Sequence, residues 1–186
     1  MAKIRARGDR LWWTVDGHMC TDTPYCAIER LLPHYCFKYG ADAYEFWGIA
    51  WNTYDPFRFG WHAYIFQSDQ PGVSYWTRYP NGDGYLLYPG ALVGHDGPVS
   101  SIRLEQAREG VEDYEYLYLL RESIARAKAA GRETAAAERA MDRAGRLVNI
   151  PNPGGRYSSK ILPDPDELYA VRQEVAEAIC ELRVRN

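Results

Sequence analysis

The chain has 186 residues, 46% hydrophobic and 25% charged, with a formal net charge of −3. That length suits one domain able to bury a sizeable core. The slight acidity argues against a nucleic-acid binder, which needs a basic face. No apolar run approaches the roughly 20 residues of a membrane span.

The chain begins with a basic cluster, Lys3, Arg5, Arg7 and Arg10, which reads as a solvated tail in preference to a phosphate-binding arm. Leu11–Val15 is β-branched and aromatic, a predicted strand. It is too short for a signal-peptide core, so this stretch carries no export signal; the compartment stays open. Asp16–Pro24 is polar loop. Residues 25–39, YCAIERLLPHYCFKY, place Ile28, Leu31, Leu32, Tyr35 and Cys36 at helical spacing. Pro33 predicts a kink or a break inside that helix, and Gly40 suits its end. YEFWGIAW (44–51) is a near-continuous apolar run, the pattern of a strand buried on both faces. Strand, helix, strand at this distance predicts a βαβ unit with a parallel pair.

Residues 52–72 read as a loop followed by WHAYIF. VSYWTRY (73–79) is expected to pair with it as an excursion hairpin. PNGDG (80–84) is a turn. GYLLYPG is a short apolar run framed by breakers, read as a strand, with another loop to Pro98. Composition changes there: every Trp and Phe precedes Pro98. Ser100 or Ser101 can cap a helix from about Ile102, with an apolar stripe of Ala107, Val111, Tyr114, Leu117, Tyr118 and Ile124. Gly110 costs this helix about 1 kcal/mol against Ala and would let it lie close to another element. Further helices are predicted at 133–147 and 166–183.

Cys20, Cys26, Cys36 and Cys180 form no CxxC pair, so structural zinc is not expected, and free thiols are preferred to disulfides in a chain this long. The four histidines have no ligand spacing. Neither a metal nor a cofactor is expected.

KYGADAYEFWGIAWN, GDGYLLYPG and GPVSSIRLEQAREGVEDYEYLYLLR, in this order and spacing, resemble the C-terminal part of glycoside hydrolase family 123-like catalytic domains, the DUF4091 group. The resemblance covers about residues 11–125. It implies an α/β fold: the C-terminal portion of a (β/α)₈ TIM-type barrel followed by a helical tail. Residues 1–98 would be barrel strands and aromatic loops, with GYLLYPG the final strand. Residues 99–186 would be the barrel-closing helix and C-terminal helices. Members with known activity are similar to retaining β-N-acetylgalactosaminidases, in which the substrate's acetamido group is the nucleophile, an Asp steadies it and a neighbouring Glu is the general acid. That Asp-Glu pair belongs to an earlier strand than any in this chain. The adjacent acidic pairs here, Glu112-Asp113 and Asp166-Glu167, fall in predicted helices, so no catalytic role is carried onto them.

Barrel enzymes place their sites at the C-terminal ends of strands. That singles out Trp47, Trp51, Asn52, Tyr54 and Asp55 as a sugar-binding wall. Trp47 and Trp51 could stack on sugar C–H faces; packing in the barrel core is the alternative. Asp55 precedes Pro56 and could simply open a turn. Asp16 and His18 could bond a sugar hydroxyl, though a loop turn is preferred. His34 reads as structural, His62 and His95 as loop residues without a clear partner, and Asp83 as a turn former. Arg103, Glu105, Arg108, Glu109, Glu112 and Asp113 read as a network tying their helix to the barrel wall rather than as catalysts. The expected partner is carbohydrate. A partial barrel leaves unpaired strand edges, so self-association or pairing with an N-terminal barrel portion is also expected. A non-catalytic carbohydrate-binding or self-assembling module is the alternative function.

Overall fold

The computed structural model describes residues 2–15, 27–46, 49, 64–67, 74–77, 85–150 and 164–184. Its elements run α1 (Ala2–Ala6), β1 (Trp12–Val15), α2 (Ala27–Tyr39), β2 (Ala43–Phe46), β3 (Tyr64–Gln67), β4 (Ser74–Thr77), β5 (Leu87–Pro89), a 3₁₀ turn (Gly90–Val93), β6 (Pro98–Ser100), α3 (Ile102–Ala129), α4 (Ala135–Arg146) and α5 (Pro165–Val184).

The predicted βαβ unit is present. β1 and β2 pair in parallel, Trp13 opposite Tyr44, with α2 as the connection. Trp13 packs its ring 5.9 Å from that of Tyr35 and 5.6 Å from that of Tyr39, fixing the sheet's helix-facing side. Trp12, pointing the other way along the pleat, is 65% exposed. Burial on both faces was expected of the second strand; instead Glu45 is exposed and Ala43 and Tyr44 are only half-buried. One face has a helix against it. Among the described residues nothing covers the other.

The excursion hairpin is also found: β3 and β4 are antiparallel, Ile65 opposite Trp76. Leu86 and Leu87 both donate their N–H groups to the Ile49 carbonyl at 2.9 Å, which sets the start of the β5 segment beside Ile49. Beyond β5 the sequence suggested only loop. The chain instead turns back as β6, pairing Tyr88 with Val99. With two prolines in its six paired positions the ladder is poor in donors, which hid it from pattern reading.

α2 continues through Pro33 without a break. Packing explains why. A Cβ on Gly110 would lie 2.4 Å from the Arg30 carbonyl oxygen and 3.2 Å from Pro33 Cγ. The bare Gly110 backbone therefore lets α3 press against the Pro33 turn, and that contact offsets a defect of about 3 kcal/mol. The close approach expected of Gly110 is real, and its partner is α2.

Ser101 caps α3, its hydroxyl accepting from Leu104 N. The buried face is turned relative to the expected stripe: Ala107, Gly110, Asp113, Leu117, Leu120 and Ala127 face inward, whereas Val111 and Tyr118 are exposed. Charged and small residues on the buried side blurred the hydrophobic signal. One core cluster runs from Leu31 and Tyr35 of α2 through Leu120 of α3 and Ala140 of α4 to Val171 and Leu182 of α5. No described helix is long and apolar enough to cross a membrane.

The basic start is not a solvated tail. Arg5 donates to the Gly40 carbonyl and approaches Asp42 at 3.9 Å. Asp42 in turn accepts from Leu11 N at 2.9 Å. A helix C-terminus attracts a guanidinium because its last carbonyls lack partners, and this one holds the segment in place.

Candidate functional site

Trp47, Trp51, Asn52, Tyr54 and Asp55 lie outside the described residues, as do Asp16, His18, His62 and Asp83. What is described is the frame around them. β1 and β2 end at Val15 and Phe46, immediately before two of these stretches. Ile49, between Trp47 and Trp51, is 59% exposed and bonded through its carbonyl to the β5 segment. The loop 90–97 stands at the far end of β5.

Arg103 pins this frame to α3. Its guanidinium is 4% exposed, its Nε donates to the Tyr85 carbonyl at 2.6 Å, and its Nη2 donates to the Tyr88 hydroxyl. Tyr85 and Tyr88 stack with centroids 5.3 Å apart. The Ser101 hydroxyl donates to the Leu86 carbonyl at 2.7 Å. The start of the helix is thus bonded to Tyr85 and Leu86, just before β5, and to Tyr88 within it, a tie of the kind read for Arg103 from the sequence.

The rest of the charge array joins helix to helix. Arg30, 1% exposed, clasps Asp113 through Nε at 2.8 Å and Nη2 at 3.2 Å. Arg172 of α5 reaches Glu109 at 2.7 Å, Glu112 at 3.3 Å and Asp113 at 3.3 Å. Two arginines thus satisfy three carboxylates where α2, α3 and α5 meet. The hydrogen bond from Arg172, with help from Arg30 and Arg108, holds the Glu109 carboxyl below its ordinary range. Burial pushes Asp113 up, against the pull of Arg30 and Arg172. Sequence reasoning placed Glu109, Glu112 and Asp113 in a network but missed Arg30 and Arg172, which lie 83 and 59 positions from Asp113. No local spacing could have revealed them.

This arrangement engages three of the four residues in the two acidic pairs. Glu112 and Asp113 are engaged by Arg172, and Glu167 of α5 accepts from Arg143 at 3.2 Å. His34, 4% exposed, has its pKa lowered to about 4 by burial and by the nearby Arg30 charge. It stays neutral at pH 7 and is structural, as its place on the helix suggested. Burial also raises the Cys36 thiol to about 11, leaving it inert as a nucleophile. Cys36 and Cys180 are free. Among the described residues no group of His, Cys, Asp and Glu is disposed to hold a metal.

A model of the glycoside hydrolase 123 catalytic domain matches residues 23–120, slightly more than half of the chain. The chain belongs to that family. The match runs from just before α2 to Leu120 in α3, so it contains the Arg30–Asp113 clasp, the Arg103 pin and the positions Trp47, Trp51, Asn52, Tyr54 and Asp55. α4 and α5 fall beyond it, yet both pack into the same core. No curated protein matches the chain.

Proposed function

We propose that this chain supplies the C-terminal part of a glycoside hydrolase 123-type (β/α)₈ barrel. It contributes the aromatic sugar-binding wall, Trp47, Trp51, Asn52, Tyr54 and Asp55, of a glycosidase acting on N-acetylhexosaminides. The catalytic Asp-Glu pair comes from an N-terminal barrel portion. The match over residues 23–120 carries this reading. The parallel β1–α2–β2 unit supports it, as do the hydrogen bonds from Leu86 and Leu87 to the Ile49 carbonyl. Glycosidic cleavage needs one carboxyl to protonate the leaving oxygen and a second group to stabilise the oxocarbenium-like centre. Glu112, Asp113 and Glu167 are held in helix-to-helix ion pairs, which suits a division of labour.

The test is hydrolysis of a chromogenic β-N-acetylgalactosaminide by the isolated chain and by Trp47→Ala. No turnover is expected from the chain alone, together with N-acetylgalactosamine binding that is lost in the variant. Turnover abolished by Trp47→Ala would put the catalytic carboxylates within these 186 residues and overturn the division.

A second reading is a non-catalytic carbohydrate-binding or self-assembling module. The open face of the β1–β2 sheet, with Trp12 exposed, favours association in either reading. Sedimentation is expected to show the isolated chain self-associating. A monodisperse monomer would count against both forms of partnership.

A further inference from the structure

The loop that joins β5 to β6 is built to a fixed shape. A Cβ on Gly90 would lie 1.9 Å from the Gly97 carbonyl oxygen and 2.9 Å from that of His95, so the two limbs touch backbone to backbone. Gly94 and Gly97 have φ of +74° and +96°, the left-handed region that glycine adopts without strain. His95 N donates to the Gly90 carbonyl at 2.9 Å, and the β5–β6 ladder closes the base.

This framework presents four side chains for which the fold has little use. Leu92 and Val93 are 49% and 54% exposed. His95 and Asp96 are also exposed. The His95 ring has one long contact, Nδ1 to Gly97 O at 3.5 Å, and Asp96 enters no hydrogen bond or ion pair among the described residues. A turn needed only to reverse the chain could be mobile and wholly polar. This one is preset, and it carries an apolar pair close in sequence to an imidazole ring and a carboxylate. That combination matches a pyranose, which offers C–H faces beside hydroxyl groups. Presetting the loop spares the ordering entropy of binding.

We infer that His95 and Asp96 are sugar-contacting residues, with Asp96 accepting from neighbouring hydroxyls of an N-acetylhexosamine and Leu92–Val93 lying against its C–H face. The inference rests on the proposed barrel reading, which sets the loop after the last strand at the rim where barrel sites form.

N-acetylgalactosamine binding to the full chain, followed by saturation-transfer NMR and titration, tests it. The variants are Asp96→Asn, His95→Ala and, as a marker of the proposed wall, Trp47→Ala. Thermal unfolding of each checks that exposed-loop changes leave the fold intact. Asp96→Asn is expected to weaken binding by about tenfold, since the lost hydrogen bonds are charge-assisted, with His95→Ala close behind. If Trp47→Ala abolishes binding while both loop variants bind as the unmodified chain does, the loop inference fails and the wall reading stands. If the unmodified chain binds no sugar, both fall.

Discussion

The helical layer and the strand region of this chain treat their surfaces in opposite ways. Where α2, α3 and α5 meet, every charge set inward by Arg30, Asp113 and Arg172 has a counter-charge, and Leu120 is fully buried at the centre. In the strand region each described sheet has two strands, and Trp12 and Ile49 stand open. Isolated two-stranded pairings are marginal in water. Here α2 shores up one of them from one side only. The contrast is between a helical core in which the arginine and carboxylate charges are matched and strands that, among the described residues, leave aromatic and aliphatic side chains exposed.

The sharpest way to break the comparison is to unpair the helical core. Arg30→Ala leaves Asp113 buried without its bidentate partner, and a loss of about 3–5 kcal/mol is expected in chemical denaturation. Next comes pH. The His34 pKa is lowered from 6.5 to about 4 in the fold, so the unfolded chain binds the extra proton. Stability is therefore complete above pH 6.5 and falls as the pH drops towards 4. The loss attributable to this ring is about 3 kcal/mol. His34→Leu is expected to flatten that part of the stability–pH curve, and a curve unchanged from the parent would refute the assignment. Gly110→Ala drives a methyl into the Arg30 carbonyl and is expected to cost about 1–3 kcal/mol, read as a lowered thermal midpoint. The smallest effect tests the open region. Trp12→Ser is expected to change the stability of the isolated chain by no more than about 0.5 kcal/mol. It should nevertheless reduce self-association in sedimentation. A large destabilisation would mean that the exposed face is already covered.

Much of the frame was legible. The parallel βαβ unit follows from the LWWTV strand, the helical spacing of Ile28 to Cys36 and the apolar run after Gly40. The Ser101 cap and the three long helices follow from hydroxyl, Gly and Pro punctuation. β6 was not legible, because Pro98–Ser100 has too few residues to show a period. Nor was the true inward face of α3. Its buried positions include Arg103, Gly110 and Asp113, which any hydrophobic pattern assigns to solvent.

The sequence by itself determined the longer helices, the βαβ unit, the family and the candidate residue types, because caps, periodicity and motif order are written within a few turns of chain. Only the tertiary structure decided which charges are structural. Arg30 and Asp113 meet across 83 residues, and whether a carboxylate is a catalyst or one half of a buried pair depends on what folding brings beside it. The same holds for the 90–97 loop. Three glycines announce a turn, but only the folded backbone, with Gly90 against Gly97, makes that turn a fixed platform for His95 and Asp96.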